Sequence, residues 1–251
     1  MTPADTISEP ELIPVPPRAT TPGEALAALG YFAAYAAYSF RGPESELMHY
    51  PTLVMGPLLL VWLLRMRSRT GRGPSAILAS FGLRPGNLAR GVGWAALAGI
   101  ALGGFQLTMS RSAADAWALV ASGKALLLFP IAAGFGILTA GVTEEFFFRG
   151  FLQTRMEDLL RSRLAAVLLV SVLFGLYHVP YAYLSPNWPS AGDLAAAFRL
   201  GMVDGTLGGL ILGGAYVLWR RNLVACIVLH GLIDAVPIMT MIKFSVPGGS
   251  S

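Results

Sequence analysis

The chain of 251 residues is poor in charge, has two lysines against sixteen arginines, and contains a single cysteine. Charged residues make up 13% of it, against about 25% in an ordinary soluble domain. That shortage excludes a soluble globule. The lone Cys226 lies inside an apolar run, so neither a disulfide framework nor a CxxC metal site can form, and it reads as a small buried hydrophobe. No basic stripe interleaved with aromatics accompanies the net charge of +4, which excludes a nucleic-acid surface. There is no serine in a nucleophile elbow and no HExxH helix. Residues 1–23 are rich in Pro, Thr and acids, without the basic-then-apolar order of a cleaved signal peptide. They read as a disordered cytosolic tail, and residues 243–251 as a flexible C-terminal one.

What fills the chain is apolar: 55% of residues are hydrophobic, in long runs separated by short arginine-bearing stretches. Runs at 25–40, 51–64, 91–109, 125–142, 164–184, 194–219 and 223–242 predict an all-α, polytopic membrane protein of about seven spans, six to eight, enclosing a polar intramembrane cavity. Residues 24–123 supply the N-terminal spans, and an amphipathic stretch at 75–88 reads as interfacial. Residues 124–242 carry the groups with chemistry. With a cytosolic N-terminus, twelve basic residues fall inside (Arg18, Arg65, Arg67, Arg69, Arg72, Arg84, Arg90, Arg155, Arg161, Arg163, Arg220, Arg221) and five outside (Arg41, Arg111, Lys124, Arg199, Lys243). This is the asymmetry of the positive-inside rule. The excess of arginine over lysine points to a GC-rich prokaryote, hence to a bacterial plasma membrane. Gly201, Gly205, Gly209 and Gly213 recur every four residues, a stripe suited to close helix packing or to making room for a substrate segment.

Ionisable side chains on such helices cost about 2.5–3.5 kcal/mol each on insertion scales, so each one invites a functional reading. They are Glu144, Glu145, Arg149, His178, Asp204, His230 and Asp234, while His49 falls between runs. Glu145 and Arg149, four apart, share a helical face and neutralise each other. Glu144 points about 100° away, has no local partner, and is suited to take a proton from water. Because the run ends at residue 142, these charges also fit a helix end at the headgroups, with Glu144 near the cytosolic edge. His178 shares a face with Phe174 and reads either as a satisfied structural donor or as a catalyst. In His230-Gly-Leu-Ile-Asp234 the spacing of four lets Asp234 accept from one imidazole nitrogen and fix the tautomer of the other. Asp204, which lines a cavity or pairs with Arg199, has no assigned role.

Glu144-Glu145-Phe-Phe-Phe-Arg149, Phe174-Gly-Leu-Tyr-His178 and His230-Gly-Leu-Ile-Asp234 resemble the EExxxR, FxxxH and HxxxN/D motifs of the CPBP family, the CaaX-type prenyl-protein endopeptidases and bacteriocin-processing ABI proteins. The resemblance covers roughly the second half of the chain. It implies an intramembrane protease in which Glu144 and His178 order the attacking water and His230 and Asp234 face the oxyanion, with Glu145 and Arg149 supporting the site. Family members often have Asn where this chain has Asp234, and a carboxylate donates to an oxyanion only when protonated, so orienting His230 is the other role open to Asp234. No cofactor is required by a glutamate-activated water. The alternative is zinc held by Glu144, His178 and His230 with one open position. The implied partners are the bilayer and a membrane-anchored protein or peptide. Rival readings are a proton-coupled transporter using the same groups as a relay, and a non-catalytic immunity or scaffold protein. No internal repeat of the transporter kind is visible.

Overall fold

A computed structural model describes residues 20–42, 46–69, 71, 73–83, 88–109, 113–186 and 188–242. Both predicted tails fall largely or wholly outside these residues, as does part of the interfacial stretch, Arg84 included. The described chain is helical throughout and forms an all-α membrane protein. Each of the seven apolar runs is a helix, and five of the helices are long and apolar enough to cross a membrane.

Helix α1 (Pro22–Ser39) starts where Thr21 accepts from the Glu24 amide and Pro22 takes a first-turn position that needs no N–H donor. Helix α2 (46–68) accommodates Pro57 after a widened π-turn, Tyr50–Met55, so it is one continuous helix, and His49, which falls between apolar runs in the sequence, lies inside it. Helix α3 (Pro74–Ser80) is shorter than the amphipathic stretch predicted there, because the chain turns at Gly82 with φ +82°. Helices α4 (Leu88–Met109) and α5 (Ala113–Ala121) precede α6 (Ala125–Leu160), α7 (Arg163–Leu184), α8 (Leu194–Leu218) and α9 (Leu223–Met241). Ser162, Asp193 and Asn222 cap α7, α8 and α9 with side-chain oxygens on backbone amides.

The main correction concerns α6. It does not end with the apolar run at residue 142 but continues to Leu160. Its 36 residues span about 54 Å at ~1.5 Å per residue, well beyond the ~30 Å hydrocarbon core. Glu144 therefore lies near the middle of a helix and is buried, so the helix-end reading of these charges is excluded. Polar side chains at intervals of four, Glu145, Arg149, Gln153 and Glu157, carry the helix onward because each finds a partner inside the protein. Gln153 donates to Glu157 and to Gly213 O (3.2 Å), and Arg221, just before α9, pairs with Glu157. That pair sets the late part of α6 level with the start of α9, and so leaves Glu144 deep among the helices.

Helix α9 packs along α4 and the first half of α6, and α7 packs along α8. The glycine stripe of α8 makes the second contact possible. A Cβ on Gly209 would stand 2.7 Å from Ser171 Cα, and one on Gly205 2.9 Å from Gly175 Cα. The stripe is thus spent on helix packing. Phe146, Phe147, Phe148 and Phe151 of α6 form an aromatic core with Phe32 and Tyr35 of α1, Phe81, and Phe174 and Tyr177 of α7. A buried ion cluster ties α1 and α2 to α6: Glu24 accepts from Arg65 at 3.1 Å and meets Arg155 at 3.5 Å. Leu126, Ile131, Phe135, Leu138, Leu164 and Leu168 remain exposed, as lipid-facing side chains must be.

Candidate active site

The three motif helices converge. In α6, Glu144 and Glu145 occupy one short α-helical turn, Val142–Glu145, between two π-segments, Ile137–Gly141 and Phe146–Gln153. Such bulges in otherwise regular helices recur at functional sites. Helix α9 crosses here at very short range: a Cβ on Gly141 would stand 2.7 Å from Ile227 O, and one on Gly136 2.9 Å from Gly231 O. Small residues at the crossing let the two backbones touch, and this brings His230 to the acidic turn.

Glu145 is fully buried and its Oε1 accepts twice, from Arg149 Nη1 at 2.8 Å and from His230 Nδ1 at 2.7 Å. Arg149 also donates from Nη2 to Gly209 O at 3.3 Å and lies 4.5 Å over the Phe174 ring. The predicted Glu145–Arg149 pair is therefore present, and it is bound to α7, α8 and α9 together. A buried pair so surrounded holds a site rigid more than it stabilises the fold. The placement of Asp234 differs from the expectation. Glu145, not Asp234, takes the far nitrogen of His230, while Asp234 Oδ2 lies 3.4 Å from Nε2, on the side that faces Glu144. The spacing of four does put Asp234 beside His230, but the closer partner comes from another helix.

Glu144 differs from Glu145 in its partners, a tyrosine and two imidazoles in place of an arginine. Its Oε1 accepts from the Tyr177 hydroxyl at 3.3 Å, and its Oε2 is buried without a hydrogen-bond partner. That oxygen faces His230 Nε2 at 3.9 Å and His178 Nε2 at 4.0 Å. His178 donates from Nδ1 to Phe174 O at 2.7 Å, which assigns the proton to Nδ1 and leaves Nε2 of the neutral ring as an acceptor. The gaps of 3.9 and 4.0 Å are too long for direct hydrogen bonds and match the reach of one bridging water. They also exceed the ~3.4 Å edge of a tetrahedral zinc site with bonds of ~2.1 Å. Among the described residues no three His, Cys, Asp or Glu side chains stand as a metal cage.

Tyr177 is a member of the site that the sequence reading did not assign. Its signal was a hydroxyl in mid-span, which must find a partner when buried. Gln153 and Glu157 were missed too, although their spacing of four from Arg149 continues one helical face. Asp204 lies apart, exposed on the π-turn Gly201–Gly205, and among the described residues it forms no ion pair with Arg199.

Residues 125–236, a little under half of the chain, match the family described as type II CAAX prenyl endopeptidase Rce1-like. That segment is similar to the CPBP/CaaX proteases and supports a likeness to that family. The matched residues contain the six site side chains expected from the sequence, Glu144, Glu145, Arg149, His178, His230 and Asp234, and Tyr177 as well. No curated protein and no solved structure matches the chain. It is an integral membrane protein whose residues 125–236 are similar to a membrane protease family.

Proposed function

We propose that this protein is an intramembrane endopeptidase that hydrolyses a peptide bond of a membrane-anchored protein or peptide with water activated by Glu144. The observation that carries this reading is the buried, unpartnered Glu144 Oε2 facing His178 Nε2 and His230 Nε2 across a gap of one water. A water there donates one proton to Oε2 and one to His178 Nε2, and its lone pair faces the substrate carbonyl. As the oxygen attacks the carbonyl carbon, its proton passes to Glu144. His230, with protons on both nitrogens, gives its Nε2–H to the oxyanion, and in that form it has a carboxylate on each side, Glu145 and Asp234. Glu144 then returns the proton to the leaving nitrogen as the C–N bond breaks. All of this uses side chains of the protein alone.

The family description and the apolar setting favour a CaaX-type C-terminus as substrate, with a leader peptide or a C-terminal anchoring tail offering the same chemistry. The test is to reconstitute wild type and Glu144→Gln in liposomes with tagged substrates of these three kinds and to size the products by mass spectrometry. Cleavage by wild type that disappears in Glu144→Gln is the expected result. Equal cleavage by both overturns the mechanism, and a proton flux without any cleavage replaces the reading with transport.

A further inference from the structure

Three long helices, α2, α6 and α8, finish at the end of the bundle where Arg221 meets Glu157. Each stops on an arginine in the left-handed region: Arg69 with φ +62°, Arg161 with φ +52° and Arg220 with φ +55°. That conformation is disfavoured for any residue with a Cβ, and glycine is the usual occupant of such a helix end. At the opposite end α1, α7 and α9 finish on Phe40, Ser185 and Ile242, all with negative φ. A cation beside the last carbonyls of a helix offsets part of the strain. It does not account for the exposure of all three side chains.

The acids at this end are turned inward. Glu24 holds Arg65 and Arg155, Glu157 holds Arg221, and the half-buried Asp158 accepts from Thr20 Oγ1 at 2.8 Å. Among the described residues this end keeps no exposed acid, and none forms an ion pair with Arg67, Arg69, Arg161 or Arg220. The opposite end is mixed, with Asp115 and Asp193 exposed alongside Arg41, Lys124 and Arg199. The surplus of positive charge also lies on the circumference. Arg161 follows the exposed Leu160, Arg163 precedes Leu164, which is 69% exposed, and Arg220 stands two residues after Leu218, which is 80% exposed. Apolar side chains so exposed on a membrane-spanning helix face lipid, and the guanidinium groups beside them stand at the level of the headgroups.

We propose that Arg69, Arg161 and Arg220, together with Arg67 and Arg163, form a collar that binds the phosphate groups of anionic phospholipids. The guanidinium fork presents two donors to one phosphate, and a headgroup of net negative charge supplies the counter-charge that the acids of this end do not. The inference stands independently of the endopeptidase reading, because it rests only on the membrane-spanning helices and the charges at their ends.

The experiment places the full chain in nanodiscs of equal parts phosphatidylglycerol and phosphatidylcholine, and counts by native mass spectrometry the lipids that stay bound after transfer to detergent. Wild type is compared with the triple variant Arg69→Gly, Arg161→Gly, Arg220→Gly and with the corresponding triple lysine variant. Glycine relieves the backbone at all three positions, so that variant is expected to melt at or above the wild-type temperature in pure phosphatidylcholine. Wild type is expected to retain phosphatidylglycerol over phosphatidylcholine by roughly tenfold or more, and the glycine variant to retain the two alike. The lysine variant is expected to keep most of the preference, with a steeper loss as salt is raised. Phosphatidylglycerol should raise the melting temperature of wild type but not of the glycine variant. Equal preference in wild type and the glycine variant overturns the collar, as does a wild type that retains both lipids alike. Stabilisation by soluble glycerol phosphate equal to that by phosphatidylglycerol overturns the assignment to lipid.

Discussion

His230 donates through Nδ1 to Glu145 Oε1 at 2.7 Å, across 85 positions of sequence, and the same oxygen accepts from Arg149 at 2.8 Å. The two adjacent acids of α6 each keep Oε2 without a hydrogen-bond partner, but they differ in surroundings: Glu145 Oε1 takes Arg149 and His230, whereas Glu144 takes only Tyr177 and turns Oε2 towards two imidazoles. Their substitution should separate stability from activity. Glu145→Ala leaves Arg149 buried without its counter-charge, which is expected to cost about 3–5 kcal/mol in unfolding free energy and to abolish activity. Glu144→Gln is expected to melt within a few degrees of wild type while kcat/KM falls about 10²–10⁴-fold. Denaturation in mixed micelles alongside a cleavage assay reads both. Equal destabilisation by the two changes contradicts the division.

The Tyr177 hydroxyl on Glu144 Oε1 leaves Oε2 as the oxygen available to water. Tyr177→Phe keeps the ring and its packing on Tyr35 and Phe148 but removes the donor. A fall in kcat of about tenfold with KM little changed is expected, the pattern of an interaction that serves the transition state rather than binding. A rise in KM at constant kcat would place Tyr177 in substrate binding alone.

Much of this was legible in the sequence, and what was not has physical causes. Every apolar run became a helix because membrane helices must satisfy their backbones internally, whatever their neighbours. The end of α6 was hidden because Glu145, Arg149, Gln153 and Glu157 look like a helix end until their partners, Gly209 O, Gly213 O and Arg221, arrive from distant segments. The same holds for His230. Its neighbour four residues on suggested Asp234 as the orienting group, and only the close crossing of α6 and α9 at Gly141 shows that Glu145 holds that position. Local spacing identifies which residues matter, and long-range contact decides what each one touches.

Because Asp234 lies on the Nε2 side of His230, its side chain about one-third exposed, it is not the group that fixes the imidazole. Asp234→Asn should therefore leave His230 in place and supply a neutral N–H donor on the oxyanion side. Activity within about tenfold of wild type is expected for Asn, against a loss of about 10²-fold or more for Asp234→Ala. The comparison is made on kcat at several pH values, since Asn removes a titrating carboxylate from the site. Equal losses for both variants would assign Asp234 to charge rather than to hydrogen bonding.

The separations around Glu144 Oε2, 3.9 and 4.0 Å, also bear on metal dependence. Protein purified in strong chelator and assayed without added metal is expected to retain its activity. Activity lost in chelator and restored by stoichiometric zinc would mean that Glu144, His178 and His230 close by about 0.5 Å around an ion.

The meeting of His230 with Glu145 depends on the absence of a side chain at the crossing below it. A Cβ at Gly141 would stand 2.7 Å from Ile227 O, a backbone atom of α9 that has no rotamer to escape into. Gly141→Ala should therefore push α9 away from α6 by a few tenths of an ångström or more, and the displacement falls directly on the 2.7 Å hydrogen bond between His230 and Glu145. Since proteins in membranes tolerate small interhelical shifts better than active sites tolerate misplaced groups, the variant is expected to fold, with a kcat reduced by about 10²-fold. Gly134, which has open space around its Cβ position two turns earlier on the same helix, is the control: Gly134→Ala should change neither kcat nor melting temperature. If the two alanine variants behave alike, the crossing is not what sets the geometry of the site.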